Sequence, residues 1–79
     1  MSLVIDALGK KCPLPVIMLA KAAGGQPAGT EIAVLSDDPA AAIDIPAWCR
    51  LRGHTFLSTD GDRHTVRLEA QATGVRPEG

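Results

Sequence analysis

Short β-prone runs and two longer helical stretches alternate along this chain, separated by glycine- and proline-bearing turns. The run Leu3-Val4-Ile5, closed by Asp6 and the turn-like Leu8-Gly9-Lys10, predicts a first strand over residues 2–7. From Pro13 to Ala23 there is no glycine and no β-branched run, and proline occurs only in the first turn, where no intrahelical N–H is required; Gly24-Gly25 supplies the stop. A helix over 13–23 follows, and as a crossover it makes the next strand, Glu31 to Leu35, parallel to the first. Ser36-Asp37-Asp38-Pro39 reads as a loop with Asp38 as N-cap and Pro39 in the first helical position of a second helix, which ends near Arg52 with Gly53 just beyond it. Pro46 removes one backbone hydrogen bond inside that helix and predicts a kink or break near residues 43–45. His54 to Ser58 and His64 to Glu69 alternate in polarity around Asp60-Gly61-Asp62, the signature of an antiparallel hairpin. The order β-α-β-α-β-β predicts an α/β fold, an α+β two-layer sandwich in which a mixed four-stranded sheet carries both helices on one face, with residues 71–79 as a frayed tail.

Length and composition narrow the functional classes. With 79 residues the chain is read as one domain, its ordered core over residues 3–70, and a domain of this size buries only about 60% of its unfolded surface. A formal net charge of −1 and two aromatic residues, Trp48 and Phe56, supply neither the basic footprint nor the stacking platform of a nucleic-acid binder. The basic residues Lys10, Lys11 and Lys21 do cluster in sequence around the first cysteine, a bias suited to an acidic partner surface as well as to plain solvation. The N-terminus has no signal-peptide pattern, and no apolar run approaches the roughly 20 residues needed to cross a bilayer, so no membrane association and a cytoplasmic location are expected. In that reducing compartment Cys12 and Cys49 are expected as thiols rather than as a structural disulfide.

The chemistry concentrates at Cys12-Pro13-Leu14-Pro15. Placed at the N-cap of the first helix, the Cys12 sulfur would sit in the positive field of a helix terminus, which lowers a thiol below its free value of about 8.5. Pro13 and Pro15 stiffen the turn and leave the Leu14 and Val16 N–H groups as donors toward the sulfur. A dithiol redox centre would need a second cysteine where Pro15 stands. His54 and His64 begin strands and read as surface or edge residues rather than catalytic bases, and no paired Cys or His spacing suggests a metal site. An activated, lone cysteine on so small a domain is suited to accept a group and pass it on, and sulfane sulfur held as a persulfide fits, with no cofactor beyond that covalent sulfur. Val16, Leu19, Ala20 and Ala23 share the helix face expected to pack on the sheet, which leaves Leu14, Ile17, Met18 and Lys21 as candidate partner contacts beside the thiol. Cys49, mid-helix near Ile45 and Trp48, is expected in the core; Asp37 and Asp38 are read as loop and cap residues, and Asp6 as a turn-shaping one.

The run from Asp6 through Leu8, Gly9 and Cys12-Pro13-Leu14-Pro15, the loop Ser36-Asp37-Asp38-Pro39, the segment Asp44-Ile45-Pro46 followed by Cys49, and Gly53-His54 together resemble the TusA/SirA-like sulfur-carrier family over residues 3–70. The resemblance implies the sandwich already described, a fold like that of the C-terminal domain of bacterial translation initiation factor three. It also implies that Cys12 receives sulfur from a cysteine desulfurase or a rhodanese-like donor and relays it to a downstream sulfur-relay acceptor protein, serving tRNA 2-thiolation, molybdenum-cofactor enzymes or the oxidation of sulfur compounds. Lys10, Lys11, Pro13, Leu14, Pro15 and Val16 would support the thiol. Leu14 stands at a position of the motif that is often acidic in relatives, so partner identity does not carry over. Two other classes stay open: a redox-sensitive regulatory or protein-binding module without sulfur transfer, and an independent enzyme with its own substrate cleft.

Overall fold

Six elements make up the computed structural model, which describes residues 2–70: β1 (Ser2–Asp6), α1 (Leu14–Ala23), β2 (Glu31–Leu35), α2 (Ala41–Arg52), β3 (Thr55–Asp60) and β4 (Arg63–Arg67). The tail assigned to residues 71–79 lies outside the described residues. The strands form one mixed sheet in the order β1-β2-β4-β3, with β1 parallel to β2 and both remaining pairs antiparallel. Register places Leu3 beside Ile32 beside Val66, and Ile5 beside Val34 beside His64. Because side chains alternate across a strand, these positions share one face. Ile32, Val34 and Val66 are fully buried there with Leu19 of α1 and with Ile45 and Cys49 of α2, so both helices cover that face, as the element order predicted.

The hairpin between β3 and β4 closes through Gly61 and Asp62, with Asp60 paired to Arg63 and a positive φ (61°) only at Gly61, the first central residue, as in a type II′ turn. Strand order changes one expectation from the sequence. β4 inserts beside β2 and leaves β3 at the edge, so His64 is an interior residue, 3% exposed, rather than a surface or edge one. Its Nδ1 meets Thr59 Oγ1 at 3.0 Å, which satisfies a polar ring inside the layer.

α2 also departs from expectation. It runs as one helix through Pro46 without a break, and its N-cap is Ala40 rather than Asp38, so Pro39 stands outside the helix. Asp38 closes the preceding turn instead: its Oδ1 accepts the Ala40 N–H at 3.0 Å and its carbonyl accepts the Ala41 N–H at 3.0 Å. At the other end Gly53 takes the left-handed conformation (φ 78°) expected of it, and the His54 N–H reaches back to the Cys49 carbonyl at 2.8 Å. Among the described residues no helix is long and apolar enough to cross a membrane.

His54 ties this end of α2 to the sheet. Its ring stacks on Trp48 with centroids 5.0 Å apart, and its Nδ1 accepts the Glu69 N–H at 3.0 Å. Burial lowers its pKa from the ordinary 6.5, with Glu69 acting in the opposite sense and Arg52 in the same one. A protonated ring would turn Nδ1 into a donor facing another donor. The unfolded chain therefore takes up the proton first, and stability is lost as pH falls below about 6.5. The midpoint of thermal unfolding is expected to drop as pH falls below about 6.5, and His54→Gln to flatten that part of the curve.

Candidate functional site

Parallel pairing of β1 and β2 brings their following loops to the same end of the sheet, the end where open α/β sheets place their chemistry. The first loop carries residues 7–13, the second residues 36–40. Backbone and carboxylate bonds lash them together. The Ala7 N–H donates to the Leu35 carbonyl at 2.8 Å, and Asp6 Oδ1 accepts the Leu8 N–H at 3.1 Å, the turn-shaping role expected of Asp6. Asp37 Oδ1 accepts the Gly9 N–H at 3.0 Å, and Asp38 Oδ2 accepts the Cys12 N–H at 2.6 Å. Gly9 lies at φ 79°, a left-handed conformation that glycine adopts without steric cost.

Cys12 stands exposed where these ties converge. It does not occupy the N-cap; Pro13 does, so the sulfur sits one residue before it, and the Cys12–Pro13 peptide bond is cis. Of the two N–H groups expected to face the sulfur, that of Leu14 is taken by the Lys11 carbonyl at 2.8 Å. The Cys12 thiol donates its hydrogen to Asp44 Oδ2 at 2.8 Å. Asp44 sits in the first turn of α2, where a carboxylate is favoured by the helix field, and it is half-buried.

This arrangement reverses the electrostatic expectation. The thiol pKa is raised rather than lowered, first by the hydrogen bond to Asp44, then by desolvation and by the charges of Asp44 and Asp38. Asp38 is held below the usual carboxylate range by the N–H groups of Cys12 and Ala40 and by the charge of Lys11. Both carboxylates favour the protonated form, the form in which the thiol donates to Asp44.

The other residues singled out in the sequence divide. Pro15 is fully buried with Leu19, one turn on, which pins the start of α1 to the core. Val16 is half-buried, and so is Met18, which packs against the core rather than standing free beside the sulfur. Leu14 and Ile17 are exposed, at 46% and 41%, and Lys10, Lys11 and Lys21 are exposed as well. An apolar groove that sequence reasoning did not identify runs from the site between the helices, lined by Pro13, Val16, Asp44, Ala47, Trp48 and Leu51. Cys49 is in the core as expected, 1% exposed, and burial pushes its thiol up to about 11.

Two contacts of the site were missed. The sequence pattern reads Asp38 as a cap and Asp44 only as part of a longer resemblance; both pair with Cys12 across a gap of chain that local pattern does not span. The available signal was the position of Asp44 beside the buried stripe Ala41, Ile45, Trp48 and Cys49, which turns it toward a neighbouring element rather than to open water. Among the described residues no three His, Cys, Asp or Glu side chains gather in a metal-holding group.

Comparison with known proteins agrees with this architecture. The family model described as sulfurtransferase TusA matches residues 3–70. The fold superposes on the crystal structure of a SirA-like protein from Desulfitobacterium hafniense with a TM-score of 0.70 and 30% sequence identity, covering 86% of this chain and 99% of that one.

Proposed function

Since the chain belongs to the TusA sulfurtransferase family, we propose that it works as a sulfur carrier whose cargo is a persulfide on Cys12. The observation that carries this reading is the contrast between its two cysteines: Cys12 is exposed and held by its backbone at the junction of two loops, while Cys49 is sealed in the core. A sulfur relay needs a nucleophile that another protein's cysteine can approach closely, and Cys12 offers one, with Leu14 and Ile17 exposed on the adjoining turns for contact.

Loading is an exchange without net oxidation. The Cys12 sulfur attacks the outer sulfur of a persulfide on the donor, a cysteine desulfurase or a rhodanese-like protein. A new S–S bond forms on Cys12, the donor's S–S bond breaks, and the Cys12 proton ends on the departing donor thiol. Unloading repeats the step toward a cysteine of a downstream relay protein, with tRNA thiolation, molybdenum-cofactor enzymes or sulfur-compound oxidation as the processes served. The redox-sensor alternative predicts instead that Cys12→Ser still binds its partner and that oxidation of Cys12 alters that binding.

The test is intact-protein mass spectrometry after incubation with a cysteine desulfurase, pyridoxal phosphate and cysteine. A gain of one sulfur atom, removed by reductant and mapped to the Cys12 peptide, is expected. No gain from that donor, from a rhodanese-type donor or from thiosulfate would return the protein to the binding-module class.

A further inference from the structure

The geometry points to Asp44 as the residue that tells the empty carrier from the loaded one: its carboxylate clasps Cys12 while the sulfur bears a proton and releases it once the sulfur carries cargo. The inference rests on the sulfur-carrier reading above and adds to it a positioning residue.

The clasp is a single hydrogen bond, Sγ–H to Asp44 Oδ2 at 2.8 Å, and the thiol hydrogen is the only donor the Cys12 side chain possesses. Asp44 is well placed to hold it. The half-buried side chain projects from a turn whose backbone is fixed by the Asp44 N–H bond to the Ala40 carbonyl at 2.8 Å, with Ala41 and Ile45 on either side of it in the core. In the persulfide the inner sulfur has no hydrogen, so the bond has no donor. The outer sulfur is a stronger acid than the parent thiol and ionises more readily near neutral pH, which sets an anion against carboxylates. The charges that bear on the sulfur are those of Asp44 on α2 and Asp38 in the loop ahead of it; Lys11 in the loop from β1 bears on Asp38, and Lys10 and Asp37 line the same cavity as Lys11 and Asp38, while α1 has no acidic residue in its first turn and its basic residue, Lys21, is in its last. The two carboxylates that act on the sulfur, Asp44 at hydrogen-bond distance and Asp38 on the Cys12 N–H, turn the loaded sulfur outward.

The empty carrier thus keeps its thiol protonated and turned toward α2, sparing it from adventitious alkylation and oxidation, while the loaded carrier presents sulfane sulfur to solvent. A donor has to draw the thiol off Asp44, and an acceptor meets an unclasped group.

The discriminating experiment compares wild type, Asp44→Asn and Asp44→Glu, each empty and each loaded with inorganic polysulfide. In that loading the Cys12 thiolate takes one sulfur and leaves a polysulfide shorter by one atom. Iodoacetamide alkylation at the Cys12 site is followed by mass spectrometry from about pH 6 to 9. The empty Asp44→Asn protein is expected to react about three- to tenfold faster than wild type at about pH 7, and the loaded forms of the two proteins to agree within about twofold. Asp44→Glu, which keeps the charge, is expected nearer to wild type. A general loosening of the fold would speed empty and loaded forms alike, so equal acceleration of both overturns the proposal, as does an unchanged rate for the empty form. Either result leaves the carrier reading standing if wild type still takes up sulfur. A wild-type protein that takes up none from any donor overturns the carrier reading and this proposal with it.

Discussion

Leu19→Ala is expected to lower the unfolding free energy by about 2–5 kcal/mol, the range for emptying a fully buried leucine site. Leu19 has no solvent exposure and belongs to the cluster that joins α1 to Ile32, Val34, Ile45 and Val66. A small domain has few such residues, and its total stability is about 5–15 kcal/mol, so this single truncation removes a large share. The measurement is urea unfolding, where the midpoint should fall with little change in slope, together with a drop of about 10 °C or more in the thermal midpoint. Leu51→Ala makes the comparison: that side chain is 80% exposed at the edge of the interhelical groove, and its loss is expected within about 0.5 kcal/mol of wild type. Equal losses at the two positions would mean that the helix-to-sheet packing described above does not hold the fold. Because Pro15, one turn before Leu19, anchors the start of α1, a loosened core also frees the turn that carries Cys12.

Local pattern was enough for most of the architecture. Apolar runs and glycine or proline punctuation located all four strands and both helices within a few residues, and the β-α-β-α-β-β order implied the parallel first pair and the shared helical face. What escaped were facts about neighbours. Which strand of the final hairpin joins β2 is decided by side-chain fit across the sheet, so the burial of His64 had no local signature; its partner, Thr59, lies on the strand beside it. Projection of one helix alone puts Met18 on the outer face, whereas the core reaches far enough around α1 to cover it in part. Pro46 illustrates a propensity overridden by context: Ile45, Trp48 and Cys49 are all buried on the stretch that spans it, and that packing keeps the helix continuous.

The same division holds for the site. Cys12 was conspicuous because two prolines and a helix start surround it, but its electrostatics were read from the helix terminus alone. Asp38 and Asp44 arrive from the second loop and the second helix, and their carboxylates reverse the sign of the shift. A helix N-terminus contributes a partial charge, whereas a carboxylate at hydrogen-bond distance contributes a full one with an acceptor besides.

Cys12→Ser is expected to abolish sulfur uptake from every donor while leaving the fold and the site geometry intact. A serine hydroxyl can donate to Asp44 as the thiol does, and the backbone tie from the residue 12 N–H to Asp38 does not depend on the side chain. What disappears is the nucleophile, since an alcohol does not form the S–S bond that stores the cargo. The thermal midpoint should therefore stay at the wild-type value while the one-sulfur mass gain vanishes. Cys49→Ala is expected to behave in the opposite way. Its thiol, pushed up to about 11 and 1% exposed, is neither ionised nor reachable near neutral pH, so uptake should match wild type although the core loses a small buried group. Alanine is the better replacement there, because a serine hydroxyl would enter an apolar cluster and need a partner. Persistent loading of Cys12→Ser would place the sulfur on another residue and dismiss Cys12 as the carrier; loss of loading in a folded Cys49→Ala protein would mean that the relay needs both thiols, which the burial of Cys49 argues against.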